Sequence, residues 1–355
     1  MAIPFAKKTD AAADTAAKKV VSLTPLPDPV GFAGMFAAVL NGRLVAGGGS
    51  HFPDKPLWLE GQKAYSDRVF ALDRPRGAWR VLAGRLPHPM AHFAAAPVAA
   101  AVYLAGGIGG DGRLLAEAFE LQLAGDDVVI RPLAPLPQPL AYSAGVVADG
   151  RFYVAGGQQD VAKKAAVTEV WSLEVGKAGA PWRREPDLPG SGVFVGAMAA
   201  VGSQVIFIGG VGYDAAGKAV QSNKVYALSA GAKAWVELPD MPEPRVGAVT
   251  PCPVVAGRHL VVMGGYASAF PGERRDHPGF SRQTLIYDLE SRTWRNGPVL
   301  PYVPPVDKDS TSDAGPAPMV AAPGVVWNDL FVAVSGEVRA SVRTPAVVGL
   351  PLSEL

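Results

Sequence analysis

The segment SGEVRASVR, residues 335 to 343, crowds one carboxylate, Glu337, and two guanidinium groups, Arg339 and Arg343, into a single short stretch. A positioned carboxylate can accept and return a proton, an effect typically worth about a hundredfold to ten-thousandfold in rate. An arginine presents a planar fork that grips an anionic group through two parallel hydrogen bonds, which a lysine cannot reproduce. The same three residues read equally well as a solvated loop holding a chance ion pair. Other polar residues are candidates by position. His92, Tyr142 and Arg245 each stand just ahead of an apolar run, and His51 and Lys63 lie in the long segment HFPDKPLWLEGQKAYSD, residues 51 to 67. Lys55, Glu60 and Lys63 in that segment are either pocket lining or solvated charges. His88 and His92 have the HxxxH spacing of a metal pair, but only on a helix, and Pro87 and Pro89 put them in a turn.

The strands and turns that carry these residues repeat along the chain. A short apolar run ending in two glycines occurs at Gly47-Gly48, Gly106-Gly107, Gly156-Gly157, Gly209-Gly210 and Gly264-Gly265, and in altered form at Ser335-Gly336. A second motif keeps the same beat: Leu26-Pro27, Leu86-Pro87, Leu136-Pro137, Leu188-Pro189, Met241-Pro242 and Leu300-Pro301. Between the two lies a strand such as KVYALSA, followed in several copies by a tryptophan, namely Trp79, Trp182, Trp235 and Trp294. A period of about fifty residues indicates a propeller. The pattern resembles the kelch repeat over essentially the whole chain and predicts an all-β, six-bladed kelch-type propeller with four-stranded antiparallel blades. The sixth copy ends after its third strand, TPAVVGLPL, while KKVVSLTPLPDP at the start is a fourth strand without companions. The two ends are therefore expected to complete one blade, with residues 20 to 26 beside 345 to 352. Residues 1 to 18 read as a flexible tail, and 19 to 355 as one propeller domain. The links into the inner strands and the loops after the glycine pairs should share one face, where Glu337, Arg343, Arg245, Tyr142, His92 and the long loops 51–67 and 266–282 would meet.

Composition narrows the partners. The 355 residues are 49% hydrophobic and 18% charged, with net charge +1 and both signs dispersed, so no broad field would draw nucleic acid or an anionic membrane. No stretch approaches the roughly eighteen uninterrupted apolar residues of a membrane helix. The single Cys252 excludes an intrachain disulfide and reads as a small buried hydrophobe. Lys7, Lys8, Asp10 and Asp14 interrupt any apolar leader, so a cytoplasmic location is expected, or a periplasmic one if a signal has been removed.

The stretch SGEVRASVRTPAVV resembles a segment of the bacterial N-acetylneuraminate epimerases, the sialic acid mutarotases, in which a Glu and an Arg six positions later belong to the active site; Glu337 and Arg343 keep that spacing. PDPVGFAGMFAAVLNGRLVAGGGSHF and QKAYSDRVFAL are similar to two further segments of that family, which there follow the Glu-Arg segment and here precede it, as in a cyclically permuted member. Ala340-Ser341 stand where the family has Pro-Gly. The resemblance implies an isomerase that interconverts sugar anomers by acid–base ring opening and reclosure, with a carboxylated small sugar as substrate and no cofactor or metal. It implies Glu337 and Arg343 as active-site residues; proton chemistry then suits Glu337 as shuttle and a planar bidentate cation suits Arg343 for the sugar carboxylate, while Arg245, Arg339, Tyr142, His92, His51 and Lys63 are the substrate-binding candidates. The alternatives are a mutarotase of another sugar, a non-catalytic kelch propeller binding protein or carbohydrate, and a galactose-oxidase-like copper enzyme. The last would need a cysteine crosslinked to tyrosine, and Cys252 lies in the repeat frame.

Overall fold

A computed structural model describes residues 20–302, 307–313, 315 and 319–355. The expected flexible tail, residues 1–18, lies outside the described residues. The chain forms six four-stranded antiparallel blades around one axis, a β-propeller. Blade one comprises 33–40, 43–51, 68–72 and 79–85, and blade two 94–97, 102–105, 118–124 and 127–132. Blade three comprises 144–148, 151–155, 170–174 and 183–184, and blade four 197–201, 204–208, 225–229 and 236–238. Blade five comprises 254–255, 259–262, 283–288 and 293–299. Blade six is built from both ends of the sequence: 324–327, 330–339 and 342–351, completed by 21–22. Val21 pairs with Gly349 and Ser22 with Val348, and the amides of Leu23 and Leu26 reach the carbonyls of Val347 and Pro345. No helix among the described residues is long and apolar enough to cross a membrane.

Each repeated motif has a physical task. Leu26, Leu86, Leu136, Leu188, Met241 and Leu300 are all buried, and a fully buried side chain of this size contributes roughly 1.5–3 kcal/mol. The outer-strand tryptophans act as clips. Trp79, Trp182, Trp235 and Trp294 donate their indole N–H to the carbonyls of Thr24, Ala134, Pro186 and Pro239 at 2.7–2.9 Å. In every case the acceptor lies two residues before the Leu-Pro or Met-Pro of the neighbouring blade. Blade two lacks the tryptophan and is fastened to blade one by ion pairs of Asp126 with Arg43 at 2.6 Å and Arg80 at 2.7 Å.

The glycine pairs follow from backbone approach. A Cβ on Gly209 would lie 2.2 Å from the carbonyl oxygen of Arg245, and Gly209 has φ +60°, so only glycine fits. In blade one the pair is displaced by one residue from the expected Gly47-Gly48: Gly48 (φ +69°) and Gly49 (φ +97°) take the left-handed positions. In blade six Ser335 itself adopts φ 58° in the first position. Its hydroxyl accepts from the Phe32 amide at 2.7 Å and lies 2.9 Å and 2.5 Å from the carbonyls of Phe32 and Thr344.

The ring closes through a cycle of backbone hydrogen bonds. His92 donates its amide to the carbonyl of Gly34, Tyr142 to His92, Val195 to Tyr142, Gly247 to Val195, Ala321 to Gly247 and Gly34 to Ala321, all at 2.8–3.0 Å. All six residues have positive φ, including the β-branched Val195 at 52°, a conformation that costs such residues energy and persists only where the surroundings impose it.

Candidate active site

The backbone cycle surrounds a cavity of about 430 Å³ at one mouth of the central channel. The residue that follows each left-handed pair is Ser50, Ile108, Gln158, Val211, Tyr266 or Glu337, and Val211, Tyr266 and Glu337 line this cavity directly. Glu337 is therefore delivered to the channel mouth by the repeat itself.

Glu337 and Arg343 do not occupy a loop. Blade six continues its second and third strands past Ser335 into a hairpin that turns at Ala340-Ser341, and the two residues are direct cross-strand partners. Opposed residues in an antiparallel pair share a face. Arg343 Nη1 lies 2.9 Å from Glu337 Oε1, with the guanidinium side chain 2% exposed and the carboxylate side chain 22%. Arg343 also donates Nε to the carbonyl of Ser50 at 3.1 Å and lies over the Phe52 ring. The hydroxyl of Ser50 is 3.2 Å from His92 Nε2, and the His92 ring packs against Tyr142 with centroids 4.7 Å apart. Burial, reinforced by the charges of Lys63 and Arg343, holds the His92 pKa well below its ordinary value, so the ring is neutral.

The wall opposite Glu337 is aromatic. Phe194 stacks on Tyr213 at 5.6 Å and meets Tyr142 edge-on at 6.4 Å, and Tyr266 completes the lining. Burial, assisted by the Glu337 charge, pushes the hydroxyls of Tyr142 and Tyr266 up to about 12. They remain neutral hydrogen-bonding groups across the physiological range.

Two further cavities share Glu337. One, of about 450 Å³, is lined by Lys63, Arg274, Arg343 and Ser341 together with the 51–67 segment. The other, of about 380 Å³, is lined by Tyr266, Phe270, His277 and Phe280 of the 266–282 segment. The two long loops thus flank the carboxylate. Lys63 lines both the central and the cationic cavity. Its pKa is lowered, first by desolvation and then by Arg343, with Glu337 opposing.

The remaining sequence candidates go elsewhere. Arg245 is buried, donating to Glu243 at 2.6 Å and to the Gln283 carbonyl at 2.7 Å, and does not line the central cavity. Its backbone shows why. The Arg245 carbonyl accepts from Gly210 as that of Leu140 accepts from Gly107, so Arg245 is the counterpart of a core leucine, and Gly247 is the counterpart of Tyr142. Arg339 is turned away by a register shift between Glu337 and Arg339, the usual effect of a β-bulge. It donates to the carbonyls of Arg275 and Lys308 at 3.2 and 3.5 Å. His51 packs at a tilt against Phe32, with ring centroids 4.6 Å apart, near Asp28. His88 pairs with Glu117 at 2.7 Å, apart from His92. Cys252 is buried, its thiol pushed up to about 12 by desolvation.

Sequence reasoning missed Phe194, Tyr213, Tyr266 and Arg274. Tyr266 carried a usable signal, since it directly follows Gly264-Gly265 as Glu337 follows Ser335-Gly336. The opposite mouth of the channel, lined by Val39, Pro97, Cys252 and Val326 among others, presents no ionisable group besides the Cys252 thiol among the described lining residues. No protein-family model matches the chain, and no curated protein sequence matches it.

Proposed function

We propose that the protein is a kelch-type sugar mutarotase that interconverts the anomers of a carboxylated sugar of the N-acetylneuraminate class. The observation that carries this reading is the Glu337–Arg343 pair: a carboxylate facing a 430 Å³ cavity and held by a buried guanidinium at 2.9 Å. A cavity of this size suits a small ligand. The apolar face of a pyranose packs on aromatic rings, and Tyr142, Phe194, Tyr213 and Tyr266 supply them.

In the reaction, Glu337 takes the proton of the anomeric hydroxyl and delivers it to the ring oxygen as the bond from the anomeric carbon to that oxygen breaks, leaving a ketone and a free hydroxyl. Rotation of the open-chain ketone presents its other face. That hydroxyl then attacks the carbonyl carbon while Glu337 takes back its proton and passes it to the carbonyl oxygen, which becomes the new anomeric hydroxyl. One carboxylate serves both steps if it reaches both oxygens directly or through water. Arg343 orients Glu337 and, lining the cationic cavity, meets the sugar carboxylate. Neutral Tyr142 and Tyr266 serve as hydrogen-bonding partners for sugar hydroxyls.

A proton-NMR time course of freshly dissolved α-N-acetylneuraminate, with and without protein, tests the reading. Faster approach to anomeric equilibrium is expected. No acceleration with this sugar or with neutral aldoses would favour the second reading, a carbohydrate-binding propeller without catalysis, for which the aromatic wall is the supporting observation.

A further inference from the structure

We infer that Arg274, held over the Glu337 cavity by a latch centred on Asp309, is a substrate-binding residue that forms an anion subsite with Lys63 and Arg343. The inference rests on the carbohydrate reading above and names the residues that would select an acidic sugar over a neutral one.

The cationic cavity is lined by Lys63, Arg274 and Arg343 against the carboxylates of Glu337 and Glu60. Arg343 lines this cavity while Nη1 faces Glu337 and Nε donates to the Ser50 carbonyl. Among the described residues, the side chains of Lys63 and Arg274 make no hydrogen bond or ion pair, so both cations remain available to a ligand. They are near enough to interact: the charge of Arg274 acts on Lys63 alongside those of Arg343 and Glu337. Unpaired cations gathered beside a carboxylate that could do proton chemistry define a place for an anionic group next to the reacting carbon.

Arg274 belongs to an exposed loop, so something must hold it there. It opens the short 3-10 turn Arg274–Asp276, and the two residues after it are both fastened. Arg275 grips Asp309 through Nε at 2.6 Å and Nη2 at 2.8 Å, and Asp276 receives Lys308 at 2.7 Å. Asp309 also accepts the indole N–H of Trp58, from the other long loop, at 3.0 Å. Buried Arg339 secures the same turn from beneath through the carbonyls of Arg275 and Lys308. Single surface ion pairs contribute little, but a bidentate arginine within a network defines geometry. Asp309 thereby joins both long loops and turns Arg274 towards Glu337.

Calorimetric binding of the methyl α-glycoside of N-acetylneuraminate tests this, since that glycoside cannot open its ring and reports binding without chemistry. Its methyl ester is the neutral control. Arg274→Gln should weaken binding of the acid by about ten- to a hundredfold, the effect of losing a charge-assisted hydrogen bond, and leave the ester unchanged. Asp309→Asn should weaken the acid in the same direction but add nothing in the Arg274→Gln background, because a positioning residue acts only through the residue it positions. Unchanged melting temperatures exclude a folding defect. Equal affinity of wild type and Arg274→Gln for the acid, equal losses for acid and ester, or no binding of the acid by wild type would each overturn the subsite. Additive losses from Asp309→Asn would overturn the latch. Retained acid binding without accelerated mutarotation would overturn only the catalytic reading of Glu337.

Discussion

Glu337 and Arg343 are direct cross-strand partners in the blade-six hairpin, with Oε1 and Nη1 2.9 Å apart and only the carboxylate open to the central cavity. The pairing divides their tasks. Glu337→Gln should preserve the fold and most sugar binding while lowering catalysed anomer interconversion by about a hundredfold or more, since an amide does not accept a proton at neutral pH. Arg343→Lys should instead weaken binding of the carboxylated sugar by about tenfold, because a point ammonium cannot hold Glu337, the Ser50 carbonyl and a ligand at once. Early-time NMR rates separate the two outcomes, and a Glu337→Gln protein with wild-type rates would remove Glu337 from the mechanism.

Ser335 combines a left-handed backbone at φ 58° with three contacts of its hydroxyl. Ser335→Ala keeps the backbone strain and strands the buried Phe32 amide, so it should destabilise the protein by about 1–3 kcal/mol. Ser335→Gly, which restores the glycine of the other blades, should lose less because it relieves about 1 kcal/mol of strain. Chemical denaturation of the two variants gives the order, and an alanine variant as stable as wild type would contradict it.

His92 makes stability depend on pH. Burial holds its folded pKa well below the ordinary imidazole value of 6.5, so the unfolded chain binds the proton first. Its contribution is fully present above about pH 6.5 and is lost as pH falls towards the folded pKa. His92→Asn tolerates the positive φ of 59° and should flatten the fall in melting temperature between neutral and acidic pH. A slope identical to wild type would assign that acid sensitivity to other groups.

The shared blade predicts the effect of truncation. Removing residues 1–26 deletes the strand at Val21-Ser22, the buried Leu23 and Leu26, and the carbonyl of Thr24 that receives Trp79. The exposed edge at 342–351 should then lower the melting temperature markedly and promote self-association. Light scattering and thermal unfolding measure both, and a monomer with unaltered melting would mean that the clasp contributes little.

The repeat was legible because each copy must solve the same problem. The buried Leu or Met ahead of proline, the glycine pair and the outer-strand tryptophan are short-range consequences of packing one blade on the next, so they recur in sequence as they recur in space. The six blades and the clasp of the two ends could be read from them. The prominence of Glu337 could also be read, because Ser335 interrupts the glycine register two residues before it.

Which side chains converge follows from ring closure and not from local sequence. Arg245 looked equivalent to His92 and Tyr142 because all three precede an inner strand, yet the backbone cycle passes through Gly247, two residues later, and that offset sends the arginine into the core. Arg339 is turned from the site by a local register shift that its neighbours do not announce. The aromatic wall of Phe194, Tyr213 and Tyr266 and the Asp309 contacts to Trp58 and Arg275 join residues far apart in sequence. Local sequence determines which blade a residue belongs to, since strand periodicity and turn chemistry act over a few residues. Closure of the ring determines what that residue meets.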